Sequence, residues 1–259
     1  MQDKPKSVLI FFLLVFAISI PFWVLDTVYP VEMLPGLPIS ALGAFAPAVA
    51  AVILVYKDGG TGAAWQLLRR SFDFNRIKNK IWLLCALLVN PIIAVLAYMS
   101  MLAAGIPLPS PAPLTFAILP MFIFFFIGAL GEEIGWTGYA TEPLQQHWGI
   151  LIASIILGIV GSVWHYIPLL QAHRSVEWIA WWTLGTVSLR MIMGWLYIHT
   201  EGSVFAAAIF HAMINICWQL FPTNGSFYDP KFFGLLSLLF ALVVLTADRS
   251  AIRRNMYSV

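Results

Sequence analysis

The sequence predicts an all-α fold, a polytopic transmembrane helical bundle of about eight spans. Three observations carry this. Of the 259 residues, 61% are hydrophobic and 10% charged, with a mean hydropathy of +0.87; a soluble domain runs near 45–50% apolar and ~25% charged. The apolar residues fall into blocks of roughly 20, the helix length that crosses a ~30 Å hydrocarbon core. No two-sided alternation of the kind a transmembrane barrel needs is present. The same composition excludes a water-soluble globule and a disordered chain. A net charge of +2 leaves no broad basic surface for nucleic acid.

The spans fall at roughly 7–29, 37–56, 80–105, 114–138, 149–170, 176–198, 202–221 and 231–248. Behind Lys4 and Lys6, the first apolar run passes Ala17 and Ser19 and continues through Pro21, Phe22 and Trp23. That is too long for a cleavable signal segment, so it reads as a span. Between spans two and three lies the richest basic stretch, with Lys57, Arg69, Arg70, Arg76, Lys78 and Lys80. Within it, residues 61–76 read as an amphipathic interfacial helix that anchors topology. Arg249, Arg253 and Arg254 follow the last span. The opposite loops hold Asp26, Glu32 and the Pro107–Pro113 stretch, with only Arg174 and Lys231 as cations. The positive-inside rule therefore places both termini in the cytoplasm of a multi-pass protein integral to the (plasma) membrane. Cys85 and Cys217 sit inside apolar runs as small hydrophobes, with no disulfide framework or CxxC metal site. No repeat or linker divides residues 1–259, which read as one domain.

Ionisable groups in hydrocarbon cost about 2.5–3.5 kcal/mol each on insertion scales, so each points to function. They are Glu132 and Glu133 in span four, His165 in span five, Arg190 in span six, and His211 with Asn215 in span seven. On helical spacing, Glu132 shares a face with Gly128 and Gly135, His165 with Gly158, Gly161 and Ser162, and His211 with Ala207, Ala208 and Asn215. Small-residue faces are those that membrane helices offer to close neighbours, so Glu132, His165, His211 and Asn215 are expected to converge. Glu133 points about 100° from Glu132; it shares a face with Thr137 and has Arg190 as a candidate counter-ion. By depth, His211 stands about nine residues, ~14 Å, from the cytoplasmic end of its span, and Glu132 about six residues, ~9 Å, from the end of its own. His165 stands about sixteen residues from Gly149, which requires a later start, a tilt or a kink in that helix.

A glutamate and a histidine together can activate water. His211 and Asn215, four apart on one face, offer two donors for a developing oxyanion. The kit suits hydrolysis of an amide bond within the membrane. The same Glu132, His165 and His211 could hold Zn²⁺ with water in the fourth position. Zinc and a metal-free mechanism stand equally open, since no HExxH occurs and the ligands would come from three helices. No GxSxG, Walker motif or serine–histidine pair is present.

The stretch Gly131-Glu132-Glu133-Ile134-Gly135-Trp136-Thr137-Gly138 resembles the first motif of the CPBP (Abi) family of CAAX prenyl protease and bacteriocin-processing intramembrane endopeptidases. Trp164-His165 followed by Pro168 is similar to the second motif, and His211-Ala-Met-Ile-Asn215 to the third. The Trp195–Ser203 stretch and Phe45-Ala46-Pro47 also look like the family, and the resemblance covers roughly residues 116–220 as a catalytic core. It implies that Glu132 activates water with His165, that His211 and Asn215 stabilise the oxyanion, and that Glu133 supports them. It implies a membrane-associated peptide or protein substrate, CAAX-type or a leader or bacteriocin precursor. In two places the chain departs from the pattern. Thr137 stands where arginine is common, so the salt bridge to the glutamate pair is either lost or supplied by Arg190, and Gly161 stands where an aromatic is common. The rival readings are a non-catalytic membrane scaffold or bacteriocin-immunity protein, and a small transporter using Glu/His pairs as a proton relay. A transporter predicts inverted repeats, and none is seen.

Overall fold

The computed structural model describes residues 4–34, 37–111, 116–222, 225, 227–249 and 252. Residues 112–115, where the expected loop ends and the expected span four begins, and the tail arginines Arg253 and Arg254 lie outside the described residues.

Among the described residues, eight α-helices occupy the eight blocks read from the sequence. They are α1 (Lys4–Val28), α2 (Ala46–Arg69), α3 (Ile81–Ala103), α4 (Ile118–Gly135), α5 (Glu142–Gln171), α6 (Val176–His199), α7 (Val204–Leu220) and α8 (Pro230–Ala247). Among the described residues, five segments are long and apolar enough to cross a membrane: Ser7–Val28, Ile39–Phe72, Ile81–Ala103, Ile118–Gln171 and Pro230–Ala247. The shorter α7 is apolar as well. A two-stranded antiparallel ladder, β1 (Glu32–Leu34) with β2 (Leu37–Pro38), and a 3-10 turn over Ile39–Phe45 lead from α1 into α2. Residues 37–45, expected as the start of span two, therefore belong to this connection.

The largest departure from expectation resolves the depth of His165. Residues 139–148, expected as a loop, continue α4. A π-helical turn over Trp136–Thr141 runs directly into the start of α5. Reversal comes at Gly149, whose φ of 76° and ψ of 162° break α5 into two pieces; that region is open to glycine and strained for other residues. The chain then doubles back. Glu132 lies 17 residues before this turn and His165 16 after it, so the two face each other at one level. Trp136 and Trp164 make an edge contact at 6.1 Å along the same seam, with Ala140, Leu144, Ala153 and Leu157 in the same buried cluster.

Close backbone approaches set the helix spacing elsewhere. A Cβ on Gly135 would stand 2.5 Å from the Pro47 carbonyl oxygen, so α2 and α4 touch there at backbone distance. Gly185 and Gly234 do the same for α6 and α8; a Cβ on Gly234 would lie 2.8 Å from the Trp181 carbonyl oxygen. Such contacts are how membrane helices gain packing without a hydrophobic driving force between them. Two other glycines on the expected packing faces behave differently. Gly128 and Gly161 have open space where a Cβ would be, because both line cavities.

Candidate active site

Glu133 is fully buried and saturated. Its carboxylate accepts two hydrogen bonds from the Arg190 guanidinium on α6, at 2.8 and 3.1 Å. A third comes from His211 Nδ1 on α7 at 2.8 Å, and a fourth from the Thr137 hydroxyl one turn on. The two-pronged guanidinium contact is the geometry that makes arginine the usual partner of a buried carboxylate. Arg190 therefore supplies the salt bridge that the arginine-to-threonine departure at position 137 called for, and it does so from a different helix. The carboxylate ties α4, α6 and α7 together at one point.

Glu132, the next residue, faces elsewhere. It lines a cavity of about 590 Å³ together with His165 and Asn215, and His211 Nε2 stands 3.9 Å from its Oε1. A helix step of about 100° separates the two carboxylates, so one is locked in the protein and the other is presented to the cavity.

The backbone and carboxylate partners fix the histidine tautomers. His165 Nδ1 lies 2.7 Å from the Gly161 carbonyl oxygen, which can only accept, so Nδ1 carries the hydrogen and Nε2 is left for other partners. His211 Nδ1 likewise donates to the Glu133 carboxylate, and its Nε2 is turned towards Glu132. Next to His165, Trp164 donates from Nε1 to the Ser19 hydroxyl of α1 at 2.7 Å. This fixes the rotation of α5, and with it the direction of the imidazole. Trp182 of α6 stands 5.3 Å from the His165 ring.

Glu132, His165 and Asn215 thus line the cavity of about 590 Å³, and Glu132, His165, His211 and Asn215 line a smaller one of about 110 Å³ beside it, with Glu133 behind them. Among the described residues, no group of three or more His, Cys, Asp or Glu side chains stands in an arrangement able to hold a metal ion.

Three supports were missed in the sequence. Asn90, buried in α3, donates to the Phe210 carbonyl at 3.2 Å, in the turn that carries His211. Arg70 donates to the carbonyls of Gly138 and Gly202 at 2.6 and 2.8 Å, clamping the π turn to the start of α7. Asp73 accepts from Ser203 Oγ and from the backbone N–H groups of Val204 and Phe205, at 2.6, 3.1 and 3.2 Å, and so caps α7. Residues 61–76 thus brace the site as well as forming a basic surface segment. The polar residue buried in span three and an acid set among the cations of the basic loop were the available signals.

Residues 113–217 match the family model described as type II CAAX prenyl endopeptidase Rce1-like. The resemblance read from the three motifs is borne out. CAAX prenyl protease 2 of Methanococcus maripaludis is 27% identical over 237 residues, covering 84% of this chain and 82% of that protein. Lysostaphin resistance protein A of Staphylococcus haemolyticus is 25% identical over 208 residues, covering 77% of this chain and 54% of that protein. The Rce1-like match contains Glu132, Glu133, His165, Arg190, His211 and Asn215, whereas Asn90, Arg70 and Asp73 lie outside it. Together with the apolar helices, it makes the chain an integral membrane protein.

Proposed function

We propose that this chain is an intramembrane endopeptidase that hydrolyses a peptide bond in a membrane-associated protein or peptide, using water activated by Glu132 and His165. The observation that carries the reading is the division between the paired glutamates: Glu133 is consumed by four hydrogen bonds, while Glu132 faces the cavity beside two histidines whose Nε2 atoms are free of backbone partners. The Rce1-like match and the protease relative support the same class of chemistry.

In this mechanism a water held between Glu132 and His165 Nε2 gives a proton to Glu132 as its oxygen attacks the scissile carbonyl carbon. The carbonyl oxygen takes up the negative charge and accepts from the Asn215 amide and from His211 Nε2, which donates when the ring carries both protons. Glu132 then passes the proton to the leaving amine as the C–N bond breaks. Glu133 acts as a positioning residue: it holds His211 by Nδ1 so that Nε2 points at the reacting oxygen.

The test is a mass-spectrometric comparison of protein termini in membranes of the native host, wild type against Glu132→Ala at equal expression. Termini present with the wild type and lost with the variant are the expected result and name the substrate. If no terminus changes and the variant keeps the biological phenotype, the chain is a scaffold or immunity factor rather than an enzyme.

A further inference from the structure

We infer that the small cavity beside the catalytic groups is a side-chain subsite: it receives an uncharged side chain, up to about leucine or methionine in size, from a residue directly flanking the scissile bond, and Gly161 sets its depth. The inference rests on the endopeptidase reading of Glu132 and specifies what that centre selects.

The two cavities share the reacting groups. Glu132, His165, Trp182, Asn215 and Trp218 line both the space of about 590 Å³ and the one of about 110 Å³. A peptide whose carbonyl carbon is attacked between Glu132 and Asn215 therefore has the larger space for its chain and the smaller one within reach of a side chain. The larger cavity has the exposed Leu42, Phe45, Phe124 and Ile127 in its walls. None of the residues lining the smaller one is exposed. It is a dead end inside the bundle, which a side chain can enter and a main chain cannot pass through.

Its shape follows from the glycines of α5. Gly158, Gly161 and His165 lie on one face of that helix. At Gly158 the packing is closed: a Cβ there would stand 2.9 Å from Val187 Cα of α6. One turn further on, a Cβ on Gly161 would meet nothing within 4 Å, and Gly185 and Thr186 of α6 line the same space. The absent side chain at 161 is thus part of the open volume. A single water needs about 10–15 Å³ of such space, so 110 Å³ takes a side chain of several heavy atoms.

The lining sets the chemistry of the guest. Leu157, Leu189, Ile214, Cys217 and Phe233 make the pocket mainly apolar. Arg190 reaches it too, but its guanidinium is committed to Glu133. Apart from the catalytic groups, no charge among the described lining residues is left to pair with one on a guest, so Asp, Glu, Lys and Arg side chains are shut out. On the α8 wall, Ser237 is 1% exposed and its hydroxyl has no partner among the described residues. A buried hydroxyl left open marks a place that a guest completes, and it admits a hydrogen-bonding tip as well as a methyl group.

The test uses the full-length chain in proteoliposomes and a mixed library of short acyl-anchored peptides, with cleaved bonds read by mass spectrometry against Glu132→Ala. At one of the two positions flanking the cleaved bond, leucine and methionine should be cut on the order of tenfold faster than glycine, the effect of filling an apolar pocket, and charged residues least of all. Gly161→Phe fills the space from α5 and should lower the leucine-to-glycine ratio by roughly the same factor, moving the preference at that position to glycine and alanine. Because the ratio compares two peptides on one chain, it does not move if His165, whose Nδ1 bonds to the Gly161 carbonyl, is merely displaced. Ser237→Leu fills the same space from α8 and should lower the ratio as well; it carries the test if Gly161→Phe does not fold. Glu132-dependent cleavage with no size preference at either flanking position, or a ratio that stays at the wild-type value in either folded variant, overturns the subsite and leaves the endopeptidase reading standing. If neither the library nor native membranes yield a Glu132-dependent terminus, the endopeptidase reading fails and the subsite fails with it.

Discussion

Replacing Arg190 with leucine tests the central ion pair. Glu133 is fully buried and receives two of its four hydrogen bonds from Arg190, at 2.8 and 3.1 Å. Removing one partner of such a pair typically costs about 3–5 kcal/mol, because the remaining charge stays buried without compensation. At ~2–4 °C per kcal/mol, the melting temperature should fall on the order of 10 °C. Turnover should also fall, since Glu133 is what orients His211 through Nδ1. In metal sites, losing an outer partner that orients a ligating histidine costs about 10–100-fold, and a loss of that order is expected here. The discriminating experiment is rescue. Thr137 is one turn beyond Glu133 and already donates to it, so Thr137→Arg combined with Arg190→Leu returns a guanidinium to the same carboxylate from α4's own extension. The double variant should regain most of the lost melting temperature and turnover, whereas Thr137→Arg alone should destabilise by crowding two guanidinium groups on one carboxylate. Melting in detergent and turnover of a peptide substrate in proteoliposomes read both quantities. An Arg190→Leu chain that melts and turns over like wild type refutes the reasoning; so does a double variant no better than the single.

Asp73→Ala removes the cap on the first turn of α7 and should cost about 0.5–2 kcal/mol, measured as a lower melting temperature, with reduced turnover because α7 carries His211 and Asn215. Gly135→Ala puts a Cβ 2.5 Å from the Pro47 carbonyl oxygen and should destabilise by about 1–3 kcal/mol as α2 and α4 are forced apart. Gly161→Ala, with nothing within 4 Å of the new Cβ, should melt like wild type in the same assay. Turnover of purified protein should survive prolonged treatment with a strong chelator; a loss that added Zn²⁺ restores would overturn the metal-free mechanism.

The legible and illegible parts of this molecule differ for a physical reason. Burying a charge in hydrocarbon is costly enough that Glu132, Glu133, His165, Arg190 and His211 stand out against an apolar background without any structure. Helical periodicity then fixes which of them share a face, so the convergence of three helices on one site could be read directly. Helix ends carry no comparable signal. The run from Trp136 to Trp148 holds Glu142, Gln145, Gln146 and His147, and polarity there reads as a loop, although a helix projecting beyond the apolar core has the same composition. That one misplaced boundary made His165 look too deep by about a third of the bilayer. Gly128 and Gly161 were misread for a related reason: a missing side chain marks either a close neighbour or an open cavity, and sequence alone does not separate the two. The roles of Arg70 and Asp73 were hidden because an arginine among six cations looks like a topology signal, whatever its side chain reaches.

The adjacent glutamates show how a membrane site can hold a working carboxylate at all. A lone acid facing an apolar cavity has little to keep its neighbours in place, since the surrounding helices gain no hydrophobic energy from staying together. Here the neighbour supplies that hold. Glu133 spends its whole hydrogen-bonding capacity on Arg190, Thr137 and His211, locking α6 and α7 against α4, and one residue earlier the same helix presents Glu132 to the space so defined. Position 132 can then do without a permanent counter-ion, because the scaffold that places it is already neutralised next door. On this argument Glu132→Gln should leave the melting temperature near wild type while abolishing turnover, and Glu133→Gln should lower both, a separation that two equivalent acids would not give.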